Sequence, residues 1–324
     1  MKQTIKKAVF IVKSFFELIY SIVIYNYYKN KYKKTDYFDY KKLINTNFIE
    51  PRGFNAVCHY GNYKAVKKLT GKRFNFITDY LEHGASISSD PETIKGQGYY
   101  NRPTIRRIYA MSEFNVAVYN ECIKNEKLKS KAIAVGPYIQ GADFFYSKSK
   151  LDEIKNKYGH ILLVFPQHSC ETMKAEYDID NFIKTIQYYK KEHNFDSVFV
   201  CIYWADILMG RDEKYLQNGF VVVSAGYRSD PRFLSRLKDI IYLSDNTITN
   251  SLGTYIGYAI SMGKPIFLYN QTVQYYINGE KLILSLSLEK ETQKFYDTFN
   301  VFTTTITPEQ YQLIEKYWGK WKND

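Results

Sequence analysis

Residues 238–270 read KDIIYLSDNTITNSLGTYIGYAISMGKPIFLYN, and their order decides the fold. The apolar end of a helix (Ile240–Leu243) runs into an acidic turn, Ser244-Asp245-Asn246, and then into a short strand, Thr247–Thr249. A polar corner, Asn250-Ser251-Leu252-Gly253-Thr254, precedes a helix over Tyr255–Met262, which Gly263 caps before a strand over Pro265–Leu268. Strand, turn, helix, strand is a βαβ unit, and such a crossover joins parallel strands with helices on the sheet faces. The corner opens a helix, so backbone N–H groups and the hydroxyls of Ser251 and Thr254 converge where an anion is well held. Gly253 lets the backbone come close to that anion.

The same alternation extends outward in both directions. Toward the N-terminus, strands are expected at Ile161–Phe165, Ser197–Ile202 and Val221–Ser224, with helices at Leu151–Tyr158, Asp180–His193 and Arg232–Leu243. These strands are continuously apolar rather than alternating, which indicates a parallel sheet covered on both faces. Further back, strands are expected at Phe54–Cys58, Phe74–Thr78, Arg107–Met111 and Lys131–Val135. Tyr63–Leu69 reads as a helix, and Ser112 caps another over Glu113–Lys124. Residues 88–102, with Asp90-Pro91 and Gly96-Gln97-Gly98, read as a loop. The reading is an α/β chain of two Rossmann-like domains, 36–150 and 151–306. A helix is expected over Pro308–Trp318, within a terminal segment, 307–324.

The 324 residues suit two domains, and 45% hydrophobic content supplies their cores. Four cysteines, Cys58, Cys122, Cys170 and Cys201, have neither disulfide-framework nor zinc spacing, and fit a reducing compartment. Five histidines form no metal-ligand pattern. Net charge is +12, yet residues 1–34 hold eight lysines against Glu17 alone. A nucleic-acid binder spreads its basic residues over a domain face and carries a recognisable module; neither is present. Within residues 1–35, Ala8, Ile11, Val12, Phe15, Phe16, Ile19, Ile22 and Val23 share one helical face, opposite Lys6, Lys13, Glu17 and Ser21. Lys13 and Glu17 interrupt any uncharged span of about 20 residues. A basic amphipathic helix lying on the anionic inner face of the membrane, with Lys29–Lys34 beside it, is the expectation.

Ligands of doubly wound sheets bind beyond the carboxyl ends of the strands. In the second domain those ends carry His168-Ser169, then Gly226-Tyr227-Arg228, then Asn250, Ser251, Gly253 and Thr254. One imidazole, one guanidinium, hydroxyls and a helix start suit a nucleotide phosphate on which negative charge grows as it departs. In the first domain Glu82-His83-Gly84 follows a strand, where a carboxylate or imidazole takes a proton from an attacking hydroxyl. Glu82, His83 and Glu113 all remain candidates for that base, Glu113 also suiting a first helical turn.

Asp245, Ser251, Gly253, Thr254, Gly263, Lys264 and Pro265 give the opening stretch its resemblance to the last nucleotide-sugar-binding unit of GT-B glycosyltransferases. The family's ribose-gripping acid is missing from the following helix, where Gly257-Tyr258 stand. Glu82-His83-Gly84, His168-Ser169 and Asn250-Ser251 resemble, in order, the acidic pair before glycine, the His-Pro and the Ser-Ser/Thr of bacterial sialyl- and polysialyltransferases. His83 stands for an acid, Ser169 for proline and Asn250 for serine. The resemblance to GT-B glycosyltransferases implies that the terminal segment, 307–324, packs back on the first domain. The resemblance implies a nucleotide-sugar donor, CMP-activated acidic sugar before UDP- or GDP-sugar. It also implies a lipid-linked or oligosaccharide acceptor in capsule or lipopolysaccharide synthesis, and chemistry needing no metal or other cofactor. CDP-glycerol glycerophosphotransferases share the architecture and stand as an alternative, as does a non-catalytic α/β binding protein. Asp178-Ile179-Asp180 matches the metal-binding DxD of GT-A enzymes but begins a helix, where aspartate caps.

Overall fold

The computed structural model describes residues 26–44, 59–97, 100–102, 104–170, 172–282 and 286–321, with scattered positions between 8 and 23. The first unit holds three parallel strands in the order β1 (Asp79–Leu81), β2 (Arg107–Ala110), β3 (Lys131–Ala134). Its core gathers Tyr80, Ile108, Tyr119 and Cys122. The strand expected at Phe54–Cys58 lies outside the described residues.

The second unit holds β4 (Ile161–Phe165), β5 (Met173–Glu176), β6 (Ser197–Cys201), β7 (Val221–Val223), β8 (Asn246–Thr249), β9 (Ile266–Leu268), β10 (Gln274–Ile277) and β11 (Glu280–Lys281). Five of these form a parallel sheet in the order β7-β6-β4-β8-β9, while β11-β10-β5 form a small antiparallel one. The chain thus winds from β4 out to β7, returns, and continues through β8 to β9. Its direction reverses between β4 and β8, where Phe165 pairs with Thr249, and doubly wound sheets open their ligand crevice above such a point. The helix expected at Tyr255–Met262 runs from Thr254 to Ser261, and Gly263 beyond it takes φ 72°, the left-handed stop a glycine supplies.

Two expectations in the first unit are corrected. Residues 74–78 are not a strand: Asp79 Oδ2 accepts the Asn75 N–H and Asn75 Oδ1 accepts that of Ile77, so the chain turns before β1 begins. The alternating Phe74 and Phe76 that suggested a strand instead pack edge to face, 5.3 Å apart. The loop expected over 88–102 contains a helix, Pro91–Gln97. Asp90 Oδ1 accepts the Glu92 N–H, and proline at the first helical position suits a start as well as a loop.

Residues 36–44, expected in the first unit, keep contacts there through Tyr37 with Phe145 and Tyr146 and also reach the second. Tyr40 donates to Asp212 Oδ2 at 2.8 Å, and the Ser224 N–H donates to the Tyr37 carbonyl. Arg236, fully buried with Asp230 at 2.6 Å, also donates to the Tyr32 and Thr35 carbonyls. Breaking one side of a buried pair strands a charge, so this anchor is strong against truncation. Just before it, Tyr28 and Tyr32 stack on each other and join Trp204 and Tyr227 in one cluster. The described positions from 8 to 31 are helical, and Val9, Val12, Phe15, Phe16, Ile19, Tyr20 and Val23 are all exposed. Ile11, Ile22, Lys6, Lys13, Glu17 and Ser21 lie outside the described residues. No described helix is long and apolar enough to cross a membrane.

One apolar cluster runs from Val66, Leu81 and Tyr109 through Ile256 and Trp318 to Ile161 and Phe165, so the two units share a core. Helix Pro308–Trp318 lies between them. Its Tyr317 ring sits 4.8 Å from Phe114 of the first unit, and its Trp318 indole donates to the Thr254 carbonyl at 3.0 Å in the second.

Candidate active site

A cavity of about 250 Å³ opens between the units above the reversal point. The first unit contributes Tyr60, Asn62 and His83; the second contributes residues after β4, β6, β7 and β8. Its wall there includes Phe165, His168, Cys201, Tyr203, Phe233, Gly253, Thr254, Tyr255 and Tyr258. No lysine or arginine lines it among the described residues.

The loop after β4 is fixed from two sides. Asn250 Oδ1 accepts the Gln167 N–H at 2.7 Å, and the Ser251 hydroxyl donates to Gln167 Oε1, joining this loop to that after β8. On the other side the Ser169 N–H donates to the Asp206 carboxylate, itself paired with Arg211 at 2.8 Å, and Ser169 Oγ accepts the Ala175 N–H. Between these ties His168 is held against the cavity, its ring 4.7 Å from Tyr203. Burial, and then the nearby His83, push the His168 imidazole down to about 4, so it is neutral at physiological pH.

Gly253 and Thr254 open the helix that points into the cavity, and no side chain caps it. Its first N–H groups are therefore offered to the cavity. Tyr255 wedges behind them, stacked 4.6 Å from Phe165, with its hydroxyl tied to Thr249 and Ser251. From the first unit the chain comes so near that a Cβ on Gly84 would meet Thr254 Oγ1 at 2.6 Å. The absence of a side chain at Gly84 eases this approach, and His83 beside it reaches the cavity. His83 is exposed at the cavity, and partial desolvation by the protein around it holds its pKa below the ordinary value.

The candidates thus separate. His83, His168, Gly253 and Thr254 line the cavity; Glu82, Ser169, Gly226, Arg228, Asn250 and Ser251 do not. Glu82 is fully buried, accepting the Met111 N–H at 2.8 Å and the Asn115 amide at 2.7 Å, beneath the helix that starts at Glu113. Gly226, at φ 99°, packs on Arg236 and Leu43, and Arg228 gives its carbonyl to the Tyr60 N–H. Glu113 is exposed at the first position of its helix. Asp178 caps its helix through the Asn181 N–H, and Asp180 pairs with Lys214.

Tyr60, Asn62 and Tyr203 were missed in the sequence. The first two fall in a segment legible only as a turn. Tyr203 follows β6, the neighbour of β4, so strand order would have found it.

No family model and no curated protein sequence matches the chain. Among solved structures it is similar to Anabaena Alr3699/HepE in complex with UDP and glucose, at 14% identity over 74% of this chain and 67% of that one, TM-score 0.36. It is similar to the wall teichoic acid polymerase TagF at 12% identity, covering 70% of this chain and 56% of that one, TM-score 0.36. A third is S. aureus MnaA with UDP, at 12% identity over 74% and 64%, TM-score 0.41. The chain thus spans little more than half the length of the teichoic acid polymerase.

Proposed function

We propose that this protein is a glycosyltransferase that moves a sugar from a nucleotide donor to a hydroxyl of a surface glycan. The observation that carries the reading is the cavity at the reversal point, where neutral His83 faces His168 and the uncapped start of the Thr254 helix. A neutral imidazole accepts the proton of an attacking hydroxyl. The helix start and a second, neutral imidazole, through its ring N–H, stabilise a departing nucleotide phosphate. In this scheme His83 is the base, and Glu82 fixes the start of the Glu113 helix behind it. The partial match to sialyl- and polysialyltransferases favours a CMP-activated acidic sugar as donor, with UDP- and GDP-sugars and CDP-glycerol next. The exposed apolar positions of the N-terminal helix, with Lys29–Lys34 beside them, favour work at the inner membrane face on a lipid-linked acceptor.

A second reading, a non-catalytic binding protein, draws on one observation. The ribose-gripping acid is absent at Gly257, and the Trp318 ring fills the space where a side chain there would begin. A thermal-shift series with CMP, CDP, UDP and GDP, without added metal, separates the two. The transferase reading expects one nucleotide to raise the melting temperature by mass action, with the rise lost in His168→Ala. Silence from all four, in folded protein, sinks it.

A further inference from the structure

Asn62 is the first residue of helix Asn62–Thr70 and lines the cavity from the first unit. Its side chain is 1% exposed, and its Oδ1 has no hydrogen-bond partner. Buried polar atoms are nearly always paired, so an unpaired one in a cavity wall points to a partner brought by a ligand.

The turn that delivers Asn62 is held against its own preference. Tyr60 sits at φ 63° and Gly61 at φ 77°, and the left-handed region is unusual for a bulky residue. The second unit imposes it: the Arg228 carbonyl accepts the Tyr60 N–H, Gly61 lies against the Pro231 carbonyl, and the Phe233 ring packs tilted 4.6 Å from the Tyr60 ring. The helix that follows has no side-chain cap, so its first N–H groups stand beside the Asn62 carboxamide.

The chemistry of this corner selects a ligand class. A carboxamide has a donor edge and an acceptor edge, and the helix start adds donors. Tyr60, Phe233 and Tyr258 supply apolar faces around it. A phosphate oxygen only accepts and leaves Oδ1 unpaired; a hydroxyl on a ring with apolar faces satisfies both edges. We propose that Asn62 binds a hydroxyl of the acceptor glycoside and seats its ring beside His83. This rests on the glycosyltransferase reading, and it names an acceptor anchor distinct from the donor site at Thr254.

Saturation-transfer NMR with the methyl glycosides of galactose, glucose and N-acetylglucosamine tests it, beside the nucleotide thermal-shift series. At least one glycoside is expected to bind the wild-type chain and to lose its signal in Asn62→Leu, while the nucleotide shift persists. Leucine matches asparagine in shape without an unpaired amide, so the unliganded variant is expected to melt ~2–4 °C higher; an asparagine with a purely structural role would give a lower value. Asn62→Ser gives the same binding readout should the leucine variant not fold. The proposal is overturned by a glycoside signal that survives both substitutions, or by no glycoside signal in a protein that answers to a nucleotide. Loss of the nucleotide shift in Asn62→Leu also overturns it, placing Asn62 in the donor site. No response to any nucleotide or glycoside is instead the failure of the glycosyltransferase reading itself.

Discussion

Glu82 and His83 are adjacent in sequence and part company in the fold. One turns inward to the Met111 N–H and the Asn115 amide, the other outward to the cavity. Burial pushes the Glu82 carboxyl up to about 7 from its ordinary 4.5, against the opposing pull of its two hydrogen bonds. A carboxyl raised in the folded state holds its proton more tightly there than in the unfolded chain. Its contribution to stability is therefore complete below pH 4.5 and is lost as pH rises through about 7. That gap corresponds to roughly 3 kcal/mol. Denaturation of the wild type at pH 5 and pH 8 is thus expected to show a fall in stability that Glu82→Gln flattens by about that amount. Asp206 and Asp239, raised to about 6 and about 7 by burial, add the same sign to both proteins and cancel in the comparison. Equal slopes would show that Glu82 does not titrate as its surroundings demand. For turnover, Glu82→Gln should stay within about tenfold of wild type, whereas His83→Ala should lose about 10²–10⁴-fold. The reverse order would make Glu82 the base.

The Thr254 helix shows how an element is seated by a partner distant in sequence. Trp318 donates its indole N–H to the Thr254 carbonyl and lays its ring where a Gly257 side chain would begin. Gly257→Ala usually stabilises a helix interior by ~1 kcal/mol. Here the new methyl meets the Trp318 ring, and the expected result is a loss of ~1–3 kcal/mol. Trp318→Ala should lose ~3–5 kcal/mol and weaken the nucleotide response, because the helix start loses its brace. Chemical denaturation of both variants decides: a stabilised Gly257→Ala would show that Trp318 does not occupy that space. This contact also marks the limit of what the sequence carries. β4, β6, β7 and β9 were legible because burial on both faces makes each a largely apolar run, and β8, Asn-Thr-Ile-Thr, because a polar corner, a helix and a glycine stop follow it in βαβ order. β5, β10 and β11 were not, since MKAE, QYYI and EK hold no such run and β10 finds its partner β5 about a hundred positions away in the chain. His168 and Thr254 were legible because strand ends locate them. Whether Asn250, Ser251 and Ser169 turn toward the cavity or tie the loops was not, because Gln167 and Asp206 decide it. Asn62 depends on a left-handed Tyr60 that only the opposite unit enforces.

For the molecule as a whole, the arrangement of the N-terminal helix about the cavity bears on where the protein works. Residues 1–34 carry a net charge of +7 by count, eight lysines less Glu17. Of the apolar face expected there, Ala8, Val12, Phe15, Phe16, Ile19 and Val23 are described and all exposed, the two phenylalanines at 52% and 65%. The helix is fastened at its far end, where Tyr28 lies 5.3 Å from Tyr227 and Trp204 packs edge-on 5.1 Å from that same ring. Trp204 adjoins Tyr203 of the cavity wall. A bilayer taking up the helix would therefore lie near the cavity rim, within reach of a lipid-linked acceptor. Each lysine near an anionic surface contributes ~1 kcal/mol, and each phenylalanine buried in the interface ~1.5–3 kcal/mol. Vesicle co-sedimentation should then show strong binding to membranes rich in phosphatidylglycerol and weak binding to pure phosphatidylcholine, with the first reduced by salt. Replacing Phe15 and Phe16 together by serine should weaken binding at least ~10²-fold and leave the nucleotide-induced melting shift intact. Binding that ignores both lipid charge and these two side chains would detach the helix from the membrane, and with it the reason for placing the acceptor in a bilayer.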